Sequence, residues 1–205
     1  MKKLLLLIAI AGIAAFLGWQ LFSGKEAKPV DEQKDQPLSI SSNSNAFDHS
    51  FSRLMNDYFG IRDALVQWDS AKADVAAKAL QQKADSLPFS ELKGDSSIIL
   101  TAQNLAISIS SETKGFIGET TIEQKRRAFN MLTDEIYNII RTVRYSGQII
   151  YYIKSPMAFK DSSEGYWLNN SNKVINPYLG NKHPVYSDKM LGNGEIVDSM
   201  DFAKK

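Results

Sequence analysis

The stretch TTIEQKRRAFNMLTDEIYNIIRTV, residues 120–143, decides the fold class. Its apolar residues recur at steps of three and four from Ile122 to Val143, which places them in one stripe of an α-helix. Thr120-Thr121-Ile122-Glu123 offers a capping box at the start of this helix. Ser146-Gly147 is expected to end it. A helix with one apolar stripe needs other helices to cover that stripe.

Three further helices are predicted upstream of this stretch. Apolar residues recur at the same steps from Phe51 to Trp68, which indicates one helix of about twenty residues. Asp69 or Ser70 can cap a second helix, and Asp95 can cap a third. Gly115 and Gly118 are expected to break the third helix. Short connections then favour a mainly α fold, an antiparallel four-helix bundle over residues 46–147.

The last part of the chain is predicted to be a small C-terminal β/loop cap over one end of the bundle. β-branched and aromatic residues in 148–153 favour a short strand. Tyr166-Trp167-Leu168 can pair with that strand, and Trp167 is expected to be buried. Residues 46–205 together form the helical-bundle domain with its cap.

The first 22 residues are predicted to be a membrane anchor. Lys2-Lys3 precede an apolar run from Leu4 to Phe22, which as a helix spans about 28 Å, close to the hydrocarbon thickness of a bilayer. A cleaved signal peptide remains the alternative. Both readings place the rest of the chain in the periplasm, either anchored to the inner membrane through residues 4–22 or released after cleavage.

Residues 23–45 are predicted to be a flexible tether. They contain Pro29 and Pro37, many charged residues and serines, and no aromatic residue. Such a composition cannot bury enough apolar surface to offset the entropy of the chain.

Composition excludes several classes of function. The formal net charge of +1 gives no reason to expect nucleic acid as a partner, and Lys125-Arg126-Arg127 is interpreted as a solvated helix face. The absence of cysteine excludes disulfides and thiolate sites. Two histidines without a nucleophile–base motif predict that the chain is not an enzyme, and an enzyme that uses scattered carboxylates is the weakest alternative.

Four motifs near the C-terminus carry a family resemblance. They are Ser155-Pro156-Met157-Ala158, Gly165-Tyr166-Trp167-Leu168, Asn176-Pro177-Tyr178-Leu179-Gly180 and Met190-Leu191-Gly192-Asn193-Gly194. This pattern resembles the domain-of-unknown-function (DUF) 3347 family of Gram-negative bacteria. Members occur alone as secreted or anchored proteins, or fused to periplasmic adaptors of heavy-metal efflux pumps. The family pattern has cysteine where this chain has Ser155 and Asn193.

The resemblance implies a non-enzymatic binding or accessory protein linked to copper or heavy-metal handling, with efflux or other periplasmic envelope proteins as partners. Met157, Met190 and His183 are the candidate metal ligands, because two thioethers and an imidazole suit Cu(I) or Ag(I) if they converge. Without the two cysteines any such binding is expected to be weak. The alternative is a structural or protein-interaction module that has lost metal binding, with Met157 and Met190 as core residues and His183 in a surface loop.

Overall fold

Four α-helices and a three-stranded sheet follow one another in a computed structural model that describes residues 41, 43–160 and 162–203. The helices are α1 (Asn45–Val66), α2 (Ser70–Asp85), α3 (Ser96–Gly118) and α4 (Ile122–Val143), with a 3-10 turn at Phe89–Glu91. The strands are β1 (Ile150–Ser155), β2 (Gly165–Asn169) and β3 (Glu195–Met200). The predicted helical bundle with a small C-terminal β element is therefore confirmed.

The predicted anchor, residues 1–22, lies outside the described residues, and so does most of the predicted tether, residues 23–45. Within the described part of the chain, no helix has the length and apolar character needed to cross a membrane.

Side-chain caps start the helices close to where the sequence places them. Asp69 accepts a hydrogen bond from the Lys72 amide at 2.9 Å and begins α2. Asp95 does the same for the amides at the start of α3. The capping box of α4 is one residue later than predicted. It joins Thr121 and Gln124 through two reciprocal bonds of 3.2 Å, so the box runs from Thr121 rather than Thr120.

Two helix ends differ from the prediction. Gly115 does not break α3, which continues to Gly118. A helical glycine costs only about 1 kcal/mol relative to alanine, and burial of Phe116 in the next position offsets that cost. Helix α4 ends at Val143, before the predicted Ser146-Gly147, because Arg144 adopts the left-handed conformation with φ 51° and closes the last turn.

Helices α1 and α4 are antiparallel and meet through large side chains. In the middle of the bundle, the Tyr58 hydroxyl lies 2.7 Å from that of Thr133, and the Tyr58 ring stacks on Phe129 at 5.1 Å between centroids. The start of α1 lies beside the end of α4, where the Ser146 hydroxyl donates to Asp48 at 2.7 Å. Aromatic contacts between the first and last helices thus form one part of the core, to which all four helices contribute.

The sheet has the strand order β2-β1-β3, and both pairings are antiparallel. Ile153 of β1 pairs with Trp167 of β2, as the sequence predicts for these two segments. Strand β3 is not predicted. Its sequence EIVDSM does not alternate apolar and polar residues, and Ile196 and Val197 are 41% and 45% exposed, so no pattern in the sequence indicates a strand.

We call residues 148–203 the cap. Its sheet packs along the side of α1 and α4 rather than over one end of the bundle. The Leu168 amide donates to the Tyr58 hydroxyl at 3.0 Å, and the Tyr166 amide donates to Asn130 at 2.7 Å, both near the middle of their helices. Trp167 is fully buried, as predicted. The aromatic residues between the two helices give the sheet an apolar surface to cover, which explains its position.

Candidate functional site

A cavity of about 640 Å³ lies where the end of α1 and the start of α4 meet the cap. Trp68, Ile122 and Arg126 line it from the bundle, and residues 157–160, 162, 183–186 and 190 line it from the cap. Its volume is in the range of small-molecule sites, about 300–1,000 Å³. This cavity is the candidate site of the protein.

The cap approaches the end of α1 closely at this point because of Gly180. This glycine has φ +62°, and a β-carbon there would lie 2.6 Å from the Val66 carbonyl oxygen. The Asn181 amide donates to the same oxygen at 2.8 Å, and the Trp68 indole donates to the Leu179 carbonyl at 3.0 Å. These bonds hold the wall of the cavity against the bundle.

Arg126 is buried in this wall, which corrects the interpretation of Lys125-Arg126-Arg127 as a solvated face. It is 5% exposed. It donates from Nε to the Pro177 carbonyl at 2.9 Å and from Nη2 to the Leu65 carbonyl at 3.1 Å. Its guanidinium carbon lies 4.1 Å from the centre of the Trp68 ring. Burial lowers the pKa of Arg126 to about 10, so the guanidinium stays cationic at neutral pH.

Lys125 is buried as well, at 2% exposure, and its Nζ lies 2.6 Å from the Asp74 carboxylate. Only Arg127 of the basic run is exposed. The spacing of residues in the sequence could have indicated that Arg126 is buried. Arg126 is four residues after Ile122 and three before Phe129, so helical spacing alone places it beside the apolar stripe.

His183 stands between two aromatic rings of the cavity wall. Its ring stacks on Tyr186 at 4.7 Å and meets Trp68 edge-on at 5.9 Å between centroids. Its Nδ1 accepts hydrogen bonds from the amides of Val185 and Tyr186, both at 3.2 Å. These bonds assign the proton of the neutral ring to Nε2. Burial lowers the pKa of His183, and the charges of Arg126 and Lys160 lower it further.

All three predicted metal ligands line this cavity: Met157, Met190 and His183. Met157 is 51% exposed, so its interpretation as a core residue is wrong, and Met190 is partly buried. The fold places all three in the lining of one cavity, and their role as metal ligands stays a prediction. Within the described residues, no group of three or more His, Cys, Asp or Glu side chains could hold a metal ion. Any metal in the cavity would depend on the thioethers.

The comparison with protein families covers the bundle. The model of the DUF3347 family, a protein of unknown function, matches residues 54–147. This confirms the predicted resemblance to the DUF3347 family over these residues. The matched residues run from α1 through the end of α4, so the four C-terminal motifs lie beyond them. No curated protein and no solved structure matches the chain.

The two positions at which the resemblance implies cysteine, Ser155 and Asn193, are joined by a hydrogen bond in this chain. The Ser155 hydroxyl donates to Asn193 Oδ1 at 3.2 Å. Asn176 joins them, because its Nδ2 donates to Ser155 Oγ at 3.0 Å and to the Asn193 carbonyl at 2.7 Å. Neither Ser155 nor Asn193 lines the cavity. They adjoin its wall instead, since the Asn193 amide donates to the Met190 carbonyl at 3.0 Å.

The charges of the cavity lining favour an anion over a cation. Arg126 and Lys160 are positive, and Glu123, whose carboxylate lies 2.7 Å from the Lys160 ammonium, is negative. Most other lining residues are apolar or aromatic. An apolar cavity with a few polar groups is typical of a binding site, and those groups set the orientation and the chemical class of the ligand.

Proposed function

We propose that this DUF3347 protein is a non-enzymatic binding or accessory protein, anchored at the periplasmic side of the inner membrane, and that the cavity is its binding site. The observation that supports this most is that Met157, His183 and Met190, from two separate loops of the cap, line the same cavity against the bundle. A protein that only needed a stable cap would gain more by filling this space with side chains.

A link to copper or other heavy metals is part of the proposal, with Cu(I) or Ag(I) held weakly by the thioethers of Met157 and Met190. His183 contributes less to metal binding than its position in the cavity suggests. A histidine that binds a metal through one nitrogen normally donates from the other, but Nδ1 of His183 accepts two amide bonds. The nearby charges of Arg126 and Lys160 further weaken the binding of a cation.

An anaerobic titration of the full chain with Cu(I) against a competing chelator tests the metal proposal. We expect one ion per chain, with weaker binding in Met157→Ala and Met190→Ala and a smaller effect in His183→Ala. Met131→Ala is the matched control, since Met131 is also exposed, at 55%, but lies on α4 outside the cavity. Binding that Met131→Ala weakens as much as Met157→Ala would rule out the cavity as the metal site.

The alternative proposal is a structural or protein-interaction module that has lost metal binding. The hydrogen bonds among Ser155, Asn176 and Asn193 support it, because they replace the pair of cysteines with a closed polar cluster. The double variant Ser155→Cys and Asn193→Cys separates the two proposals. If the natural chain binds no Cu(I) and the double variant does, the protein is a metal-free descendant.

The proposed location needs its own test. Spheroplasts that carry the full chain should lose the intact protein on treatment with an external protease, because residues 23–45 are then exposed to it. Protection of the chain while the inner membrane is intact would contradict the periplasmic orientation. A mature protein that lacks the first residues would favour the cleaved signal peptide over the anchor.

A further inference from the structure

We infer that the cavity takes a small organic carboxylate with an apolar body, whose carboxylate faces Arg126. This inference rests on the proposed role of the cavity as a binding site, and it names the chemical class of the ligand.

Arg126 is a buried cation without an ionic partner among the described residues. Its Nε and Nη2 donate to backbone carbonyls of Pro177 and Leu65, and the face of Trp68 covers its guanidinium. Nη1 makes no hydrogen bond to a described residue. Carbonyl groups and an aromatic face offset part of the cost of burying a charge, and a bound anion would offset more of it.

The remaining charged groups of the lining do not cancel this cation. Glu123 forms an ion pair with Lys160 at 2.7 Å, and from beyond ion-pair distance it also stabilises the charge of Arg126, so the three charges leave one net positive charge. The net charge of the described lining is therefore that of Arg126. The planar guanidinium matches a carboxylate in shape and hydrogen-bond geometry better than it matches a neutral group.

The rim of the cavity indicates an apolar body for the ligand. Met157 is 51% exposed, Val185 is 76% exposed and Tyr186 is 44% exposed, and all three line the cavity. Exposed apolar side chains that surround a cavity are stabilised when an apolar ligand covers them. A ligand with a hydrocarbon or aromatic body and one carboxylate would cover the apolar side chains of the rim and pair its negative charge with Arg126.

The ligand class is tested by isothermal titration calorimetry on the full chain with three probes of the same body. They are 4-phenylbutyrate, the neutral 4-phenylbutan-1-ol and the cationic 4-phenylbutylamine. We expect the carboxylate to bind at least about tenfold more tightly than the alcohol, which is a typical difference for a charge-assisted hydrogen bond. We expect the amine to bind most weakly.

A charge variant at the mouth confirms where the carboxylate binds. Arg126 also holds the cap to the bundle, so its replacement can unfold the chain, whereas the side chain of Lys160 is 85% exposed. Lys160→Glu should weaken binding of 4-phenylbutyrate severalfold and leave the alcohol unchanged. Lys78→Glu, the same change at an exposed site on α2 away from the cavity, should alter neither.

The outcomes separate this inference from the proposed function. Equal binding of carboxylate and alcohol, or tighter binding of the amine, overturns the inference while the cavity remains a binding site. Binding of Cu(I) with no binding of 4-phenylbutyrate overturns it and leaves the metal proposal in place. Failure of all the probes and of Cu(I) overturns both.

Discussion

The guanidinium carbon of Arg126 lies 4.1 Å from the centre of the Trp68 ring, and this contact joins α4 to the turn that follows α1. Trp68 has φ 60°, a left-handed conformation that bulky residues rarely adopt. Its neighbours hold it there, since the indole also donates to the Leu179 carbonyl of the cap. One strained residue thus connects the bundle, the cap and the cavity, as is common at functional sites.

Replacing Arg126 should destabilise the domain. Arg126→Gln removes the contact with Trp68 and the charged donors to Pro177 and Leu65, and we expect a loss of about 2–4 kcal/mol in the free energy of unfolding. Chemical denaturation monitored by circular dichroism measures it. Arg53→Gln, which removes an exposed arginine from α1, is the control and should change stability by less than about 0.5 kcal/mol. Equal losses in both variants would contradict a structural role for Arg126.

Trp167 should stabilise the domain through the burial of its large ring and not through a hydrogen bond of its indole nitrogen. It is fully buried, and its Nε1 has no hydrogen-bond partner among the described residues. Trp167→Ala should therefore lower stability by about 3–5 kcal/mol. Trp167→Phe should lose clearly less, because it retains a large ring and forfeits no hydrogen bond. An unchanged melting temperature in Trp167→Ala would show that the cap does not pack as described.

Two glycines should respond to alanine in opposite directions. Gly180 has φ +62°, and a β-carbon added there would meet the Val66 carbonyl oxygen at 2.6 Å, so Gly180→Ala should cost more than about 1 kcal/mol. Gly115 is inside α3 with nothing within 4 Å, so Gly115→Ala should gain about 0.5–1 kcal/mol. Melting temperatures of the two variants test both signs. A stable Gly180→Ala protein would mean that the cap can separate from α1.

His183 should make the stability of the domain depend on pH. Its pKa is lowered in the folded state, by burial and then by Arg126 and Lys160, so the unfolded chain binds the proton first as the pH falls. The contribution of His183 is therefore complete above its ordinary pKa of about 6.5 and is lost progressively below it. The free energy of unfolding should be measured between pH 8 and pH 5.

The matched variants isolate this effect from other groups. His183→Gln should flatten the dependence on pH, whereas His49→Gln, at an exposed site on α1, leaves His183 in place and should keep it. Burial raises the pKa values of Asp134 and Glu135, which opposes His183 at lower pH, so the comparison between variants is more informative than either curve alone. Parallel curves for His183→Gln and the natural chain would refute this prediction.

The helices were predictable because their information is local. A step of 3.6 residues and a capping carboxylate such as Asp69 or Asp95 depend only on neighbouring residues. The position of the cap was not predictable in the same way. Its sheet packs beside the stacked rings of Tyr58 and Phe129. These two rings come together only after two helices that are distant in the sequence have packed.

The candidate site was predicted in part. Met157, Met190 and His183 were selected for their chemistry, and the fold brings them to one cavity. Arg126 was missed because basic residues in a run usually face water, while the carbonyls of Pro177 and Leu65 that accept its hydrogen bonds come from distant parts of the chain. The hydrogen bonds that occupy Nδ1 of His183 depend on the shape of one loop and leave no pattern in the sequence.

The Ser41 amide donates to the Phe202 carbonyl at 3.1 Å, and this hydrogen bond holds the two ends of the described chain together. It brings both ends of the described chain to the start of α1, whereas the cavity lies past the other end of that helix. A helix of 22 residues is about 33 Å long. The two chain ends therefore share one pole of the domain and the cavity occupies the opposite pole. Both ends of the described chain therefore leave the domain about one helix length from the cavity.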